Sequence, residues 1–237
     1  MLKPNFVTSW LLVPVAFGLS ACGKGNDATS NSADVAAAIQ AGAAGSTGAP
    51  EVAALNISQG PDVCFRAVAK QLGPNAKVSE INAFFSSGKE IDSSDDEPKG
   101  QLTVCSVQYQ NPADPRKLLG TSMDVRTGKF ASPSPVDITV SGGDASTFKL
   151  ADYVIPLAQV NAAGLAPFME AQKGAMGKIF SRFAWSGVRL MAPGVFSDVH
   201  VLRLDIEGRL ASNDIKENGY AEFAVDGKTL KSNELKP

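Results

Sequence analysis

The sequence predicts an α+β fold of two tandem modules, each a helix on an antiparallel sheet, behind a disordered N-terminal tether. Three observations predict it. Near residue 59 the composition changes from small and polar residues to a mixture that includes aromatic and branched apolar side chains. Apolar residues at helical spacing are then followed by segments in which apolar and polar residues alternate, as in half-buried strands. This order occurs twice, in residues 59–143 and 144–237, without obvious sequence identity between the two halves.

Residues 1–21 are typical of a secretory signal peptide. Lys3 provides a basic start, residues 6–18 are mostly apolar, and small residues follow them. The apolar run is shorter than the roughly 20 residues that a membrane-spanning helix needs. Pro14 would also interrupt such a helix. We therefore expect export of the chain rather than a permanent transmembrane segment.

The quartet Leu19, Ser20, Ala21 and Cys22 resembles the lipobox of bacterial lipoprotein precursors. The resemblance covers only the signal peptide and the cysteine. It implies cleavage after Ala21, a diacylglycerol on the Cys22 thiol and an acylated amine at the new N-terminus. Lipoproteins kept in the inner membrane often carry Asp after the cysteine, so Gly23 implies the outer membrane, on its periplasmic face. The alternative is an ordinary secreted protein in which the cysteine occurs by chance.

Residues 22–58 are interpreted as the lipidated cysteine and a flexible linker. After Cys22 the segment is dominated by Ala, Gly, Ser, Thr and Asn and contains no aromatic residue. Such a composition is typical of linkers, because little in it can bury an apolar face. The linker either lets the folded part reach away from the membrane or is a connection without that role.

The charge of the chain disfavours a nucleic-acid partner. The net charge is −2, and loss of Lys3 with the signal peptide makes it −3. A slightly acidic protein without a Lys/Arg-rich run lacks the electrostatic signature of nucleic-acid binding. We therefore expect no nucleic-acid partner.

The cysteines support an exported, disulfide-bonded protein. Besides Cys22 the chain holds Cys64 and Cys105. An even pair in an exported chain predicts a disulfide bond between them. Neither lies in a C-x-x-C motif or has a neighbouring His, which disfavours redox catalysis and zinc binding there.

The first module is predicted to begin with two helices. Gly-Pro-Asp at 60–62 favours a helix start, and Gly-Pro at 73–74 ends that helix. A shorter helix is predicted over 78–87 from an apolar stripe that includes Ile81 and Phe84.

The acidic segment 92–97 follows these helices. Its carboxylates could bind Ca²⁺, but it lacks the alternating Asp/Asn and the central Gly of an EF-hand loop. The favoured interpretation is an acidic surface loop.

Three strands complete the first module. Apolar residues alternate with polar ones over 102–109, 117–126 and 136–140. Pro133 and Pro135 suit the edge of a sheet, where a missing N–H donor is tolerated. A disulfide from Cys64 would staple the first helix to this sheet.

The second module repeats the order of helix and strands. Its predicted elements are a helix over 165–180, strands over 182–191 and 199–207, and a hairpin turning at 226–227 between strands 220–225 and 228–230. The apolar residues of the second strand change from odd to even positions, which predicts a bulge near residues 201–202. Three cations accompany this helix, Lys173, Lys178 and Arg182, and could give it a face for a membrane surface. Its Met and Phe spacing favours a helix packed in the core.

Residues 125–129 and the turn at 225–228 resemble cystatin-like and PepSY-like modules. These modules lay a helix on an antiparallel sheet. The resemblance implies this fold and carries no function.

No catalytic residue, cofactor site or metal site is predicted. The single histidine, His200, follows Ser197 and Asp198, but such close residues on one strand cannot converge as a catalytic triad. Its alternation with Val199 and Val201 predicts that the imidazole lies on the exposed face. Asp205 and Glu207 share one strand face and are expected to face water.

Three classes of function remain. The leading one is a periplasmic binding or inhibitor module that uses a loop or a sheet face against a protein partner. Immunity lipoproteins, which neutralise periplasmic cell-wall toxins, are one such group. The alternatives are a structural or assembly lipoprotein of the envelope and a cell-wall hydrolase built from distant carboxylates.

Overall fold

One large antiparallel sheet with two helices forms the folded part of the chain, so the predicted α+β class is confirmed. The computed structural model describes residues 5–6, 54–141, 144–194 and 197–236. The helices are α1 (Val63–Leu72) and α2 (Ala166–Ile179). The strands are β1 (Asn5–Phe6), β2 (Lys77–Phe85), β3 (Leu102–Gln110), β4 (Leu118–Asp124), β5 (Lys129–Phe130), β6 (Ser134–Val136), β7 (Val140–Ser141), β8 (Ile155–Pro156), β9 (Phe180–Met191), β10 (Val201–Leu210), β11 (Lys216–Phe223) and β12 (Leu230–Glu234).

The strand order places the starts of the two halves side by side. The sheet runs β12-β11-β10-β9-β2-β3-β4-β5, with β6 paired to β4 and β8 to β2. All of these pairs are antiparallel, and β1 pairs with β7 in a separate ladder. Strands β2 and β9, each the first long strand after its helix, meet at the centre.

Both helices cover the same face of the sheet. In α1, Cys64 is fully buried and its sulfur lies 2.08 Å from that of Cys105 in β3, at disulfide distance. In α2, the ring of Phe168 lies edge-on to Phe223 of β11, with 4.8 Å between ring centroids. The strand register puts Cys105 and Phe223 on one face, where the inward side chains form a single core. The opposite face, here called the open face, carries neither helix.

The helix predicted over residues 78–87 is wrong, because this segment forms strand β2. Ile81, Ala83 and Phe85 point into the core at period two, whereas Phe84 points to the open face. Two neighbouring strands, β3 and β9, supply backbone partners on both sides. This pairing outweighs the weak helical stripe that the spacing of Ile81 and Phe84 produced.

The single strand predicted over residues 136–140 is also wrong. Residues Ser134–Val136 pair with β4, and Val140–Ser141 pair elsewhere. Val136 and Ile138 pack instead on a small apolar cluster of Leu118, Leu150 and Tyr153. Pro135 lies in the short strand β6, outside the main strand path, as its missing N–H donor requires.

The predicted bulge near residues 201–202 lies elsewhere. The pair of β9 and β10 has two register shifts. One lies opposite Asp205 and Ile206, where Ser186 of β9 is the extra residue, and the other lies opposite Arg209 and Leu210, where Ser181 is. Val199 precedes the strand and is 52% exposed, so its odd position carries no information about the register.

Both helices and strands β3, β4, β9 and β10 lie close to the predicted positions. The hairpin is shifted, because β11 begins at Lys216 instead of residue 220 and β12 ends at Glu234 instead of residue 230. The short strands β5 and β8 were not predicted.

Several predictions fall on residues that the structure does not describe. They concern most of the signal peptide, Cys22, most of the linker and the module boundary at residues 142–143. Neither of the described helices is long and apolar enough to cross a membrane.

Candidate functional site

The open face carries two neighbouring rows of side chains that cross the centre of the sheet. Each row follows the register of four adjacent strands, β2, β9, β10 and β11. The first row is Asn82, Arg189, Arg203 and Glu222, and the second is Phe84, Gly187, Asp205 and Tyr220. Because residues on one face alternate along each strand, the second row lies two residues away from the first. Charged groups are thereby concentrated beside two aromatic rings.

Asp205 holds two arginines in place on this face. Arg189 donates to its carboxylate from Nε at 2.9 Å and from a terminal nitrogen at 3.0 Å. Arg203 donates from Nε at 2.9 Å. The three side chains are only 15–25% exposed. Charge-assisted bonds of this geometry are stronger than neutral ones, so the network fixes both guanidinium groups.

Each guanidinium also lies over an aromatic ring. The Arg203 guanidinium carbon is 3.6 Å from the ring centroid of Tyr220, and that of Arg189 is 5.6 Å from the centroid of Phe84. The Oε1 atom of Glu222 lies 3.8 Å from a terminal nitrogen of Arg203. Cation–π contact adds to the ion pairs and limits the remaining side-chain freedom.

Gly187 makes room for this network. A Cβ atom at this position would lie 2.6 Å from Oδ2 of Asp205 and 3.3 Å from a ring carbon of Phe84. The first distance is shorter than side-chain contacts allow. Glycine therefore lets the Asp205 carboxylate and the Phe84 ring approach each other across β9.

A groove of about 680 Å³ lies along this part of the open face. Phe84 and Tyr220 line it, together with both arginines. Phe84 is 36% exposed and faces Val104 of β3, which is 39% exposed, so an apolar pair lies at the border of the groove. Large apolar side chains exposed side by side are typical of interaction surfaces.

The acidic loop closes one end of the groove. Asp95 accepts backbone N–H bonds from Ser87 at 2.9 Å and from Gly88 and Glu97 at 3.3 Å. Burial raises the pKa of Asp95, but these hydrogen bonds and one involving Ser86 outweigh it and lower the pKa. The carboxylate thus shapes the loop, which supports the surface-loop interpretation.

Lys216 connects this loop to the sheet. Its ammonium group lies 2.5 Å from Oδ2 of Asp92 and 3.1 Å from Oε2 of Glu207. Hydrogen bonds from Lys216 and Ser94 hold the pKa of Asp92 well below its usual range. Within the described residues, no group of three or more His, Cys, Asp or Glu side chains is placed to hold a metal ion.

Glu80 is a further carboxyl group of the open face, opposite Gln108 of β3. Burial raises its pKa, and the positive charge of Arg189 partly opposes this shift.

A second groove, of about 610 Å³, lies beside the start of β9. Phe183 and Trp185 line it with Lys99, Lys173 and Arg182. Each of these cations is paired with a carboxylate, of Glu90, Glu170 and Asp214 respectively. None of these three cations is therefore left unpaired.

His200 is not exposed as predicted. Its side chain is half-buried, while the neighbouring Val199 is exposed, because both precede β10 and do not follow strand alternation. Burial lowers the pKa of His200, and backbone groups of Tyr153 and Ser79 partly oppose that shift. The hydroxyl of Ser197 donates within its own turn, to the carbonyl oxygen of Val199 at 2.8 Å.

The sequence predicts only some of the residues of the candidate site. Cys64 and Cys105 lie on the helix-covered face, away from the groove, and Cys22 lies outside the described residues. The prediction that Asp205 faces water is wrong, because its side chain is 15% exposed and lies at the centre of the arginine network. A usable signal was the run Arg203, Asp205, Glu207, in which charges of both signs alternate with core residues.

Comparison with protein families, curated proteins and solved structures finds no match to this chain.

Proposed function

We propose that this chain is a membrane-anchored periplasmic lipoprotein whose folded part binds or inhibits a protein partner through the open face. One observation carries the proposal: the exposed pair Phe84 and Val104 lies beside two arginines that are already fixed in place. Aromatic residues and arginine are enriched in the energetically dominant parts of protein interfaces.

The fixed arginines reduce the cost of binding. Ordering a long, flexible side chain at an interface costs about 0.5–1.5 kcal/mol. Arg189 and Arg203 are held by Asp205 and by aromatic rings in the unbound protein. A partner therefore meets a rigid surface, as in other preorganised binding sites.

The two halves are proposed to be tandem modules. One comprises α1 followed by β2, β3 and β4, and the other comprises α2 followed by β9, β10, β11 and β12. The central β2–β9 pair joins them, and the open-face rows cross this junction. The proposed interface would then be shared by both modules.

The membrane anchor is proposed from the lipobox alone. We expect Cys22→Ser to leave unprocessed precursor without incorporated palmitate, because the diacylglycerol is attached to this thiol. Labelling with palmitate and comparing the size of the product measures both steps. Cleaved, labelled product from the variant would refute the anchor. Outer-membrane location, which depends on Gly23, is refuted if the native protein fractionates with the inner membrane.

Photocrosslinking in cells tests the protein-binding role. A photoreactive amino acid in place of Val104 samples the open face, and one in place of Lys178, an exposed residue of α2, is the matched control. We expect a discrete protein adduct from position 104 that position 178 does not give. Adding Phe84→Ser to the protein with the photoreactive residue at position 104 should weaken this adduct. Identical adducts from both positions, or none from position 104, would contradict the proposal.

A further inference from the structure

We infer that the segment docking in the open-face groove is cationic, carrying several Lys or Arg residues. This inference rests on the proposed protein-binding role and names the chemistry of the partner. It is carried by the balance of charges around the groove and by where its apolar residues lie.

Carboxylates outnumber cations in the groove. Two guanidinium groups line it, those of Arg189 and Arg203. Five carboxylates line it: Asp92, Asp95, Asp205, Glu207 and Glu234. Lys216 adds one charge beside the groove, already shared between two of these carboxylates. Glu222 adds a further negative charge beside Arg203. The surface is therefore acidic even after its internal ion pairs are counted.

After these internal ion pairs are formed, the groove keeps an excess of negative charge that cations of a partner can bind. Asp205 is bonded to both arginines, and Asp92 is bonded to Lys216. Glu234 lies exposed on the edge strand β12 and lines the same groove. A cleft with an excess of one sign of charge attracts the opposite sign, which raises the rate of association and selects against partners of like charge.

The apolar residues suit the stems of basic side chains. Lys and Arg lay their methylene groups on apolar surface while their charged ends stay in water or on carboxylates. Phe84 and Val104 provide such a surface at the border of the groove, with carboxylates further along it. An acidic surface disfavours the open face of a second copy, a nucleic acid and anionic lipid as occupants, because each would bring like charge.

Binding of a labelled decalysine peptide tests the inference, with decaglutamate as the peptide control. The full-length protein in neutral detergent is titrated by fluorescence anisotropy at about 20 and about 150 mM salt, where screening differs strongly. We expect decalysine to bind and decaglutamate not to bind. The Kd for decalysine should rise with salt.

Two variants with the same change in charge locate the site. Glu207→Gln with Glu234→Gln removes two carboxylates from the groove. Asp137→Asn with Glu170→Gln removes two exposed carboxylates that do not line it. We expect the groove variant to weaken binding about tenfold, since each exposed pair contributes modestly, and the control variant less than twofold.

Glu234→Gln alone tests the site without disturbing a bond to Lys216, in case the double variant is unstable. We expect it to weaken binding about threefold. Equal weakening by the groove and control variants overturns the inference, as does the absence of decalysine binding. If either result is found while the adduct at position 104 persists, the protein-binding role is retained and only the cationic nature of the partner segment is refuted. Groove-specific decalysine binding without any adduct refutes the cellular protein partner and keeps the cation-selective surface.

Discussion

Replacing Asp205 with alanine removes the carboxylate that three arginine N–H groups share. Arg189 and Arg203 lie directly opposite each other in adjacent strands, so the variant brings two like charges together without a counter-ion between them. Glu222 remains 3.8 Å from Arg203, whereas Arg189 loses both of its bonds to a carboxylate. We expect the free energy of unfolding to fall substantially.

The size of this loss follows from burial and bonding. Removing one partner of a fully buried ion pair costs about 3–5 kcal/mol, because the other charge stays buried and unpaired. Arg189 is 23% exposed and Arg203 is 25% exposed, so water compensates part of that penalty. We therefore expect a loss of about 2–3 kcal/mol. Asp205→Asn keeps the shape of the side chain but also removes its negative charge, and its amide NH2 group would face an arginine donor, so its loss should be of similar size.

Equilibrium urea unfolding measures this loss, followed by the fluorescence of Trp185, which is 8% exposed in the native protein. The matched control is Asp96→Ala, which breaks a 3.0 Å pair with Lys89 between side chains that are 85% and 71% exposed. This variant should lose no more than about 0.5 kcal/mol. A loss below about 0.5 kcal/mol for Asp205→Ala would refute the view that the network holds the open face together.

Three further predictions concern the frame around this surface. Gly187→Ala should destabilise the protein by about 1–3 kcal/mol, since its Cβ would lie 2.6 Å from Asp205; a melting temperature within 1 °C of wild type contradicts this. Cys64→Ser should make Cys105 reactive to maleimide on unfolding. It should also lower the free energy of unfolding by about 4 kcal/mol, because the bridge closes a 41-residue loop. Thiols that react freely in the native wild-type protein contradict the bridge. Burial lowers the pKa of His200 from 6.5, so stability should fall as the pH drops below about 6.5, where the unfolded chain binds the proton first. His200→Gln should flatten that dependence of the melting temperature between pH 7.5 and 5.5, and an unchanged slope contradicts the assignment.

The sequence predicts well the elements whose signals are local. Helix α1 lies between a Gly-Pro start and a Gly stop, and it ends at Gly73 with a φ of +86°, a conformation that glycine adopts readily. The hairpin after β11 turns at Gly227, where φ is +66°. Both positions favour a residue without Cβ, so the glycines in the sequence indicate where the helix ends and where the hairpin turns.

The sequence does not predict which strands become neighbours in a sheet. That β2 and β9 pair, although about 100 residues apart, decides that Asn82 lies opposite Arg189 and that Phe84 lies opposite Gly187. The arginine network therefore depends on long-range register, and no local pattern in either strand contains it. The same limit explains why the segments over 136–140 could not be placed.

Phe84 shows how a failed local prediction and an interaction surface coincide. An aromatic ring on the wrong face of a strand breaks the alternation with Ile81 and Phe85, and it was this break that made the segment resemble a helix. A core-packing role would place the ring on the helix-covered face of the sheet. The ring is instead 36% exposed on the open face, and the guanidinium carbon of Arg189 lies 5.6 Å from its centroid. Positions where local sequence rules fail are expected to be functional or strained sites. Phe84 therefore marks the part of the open face that we propose meets a partner.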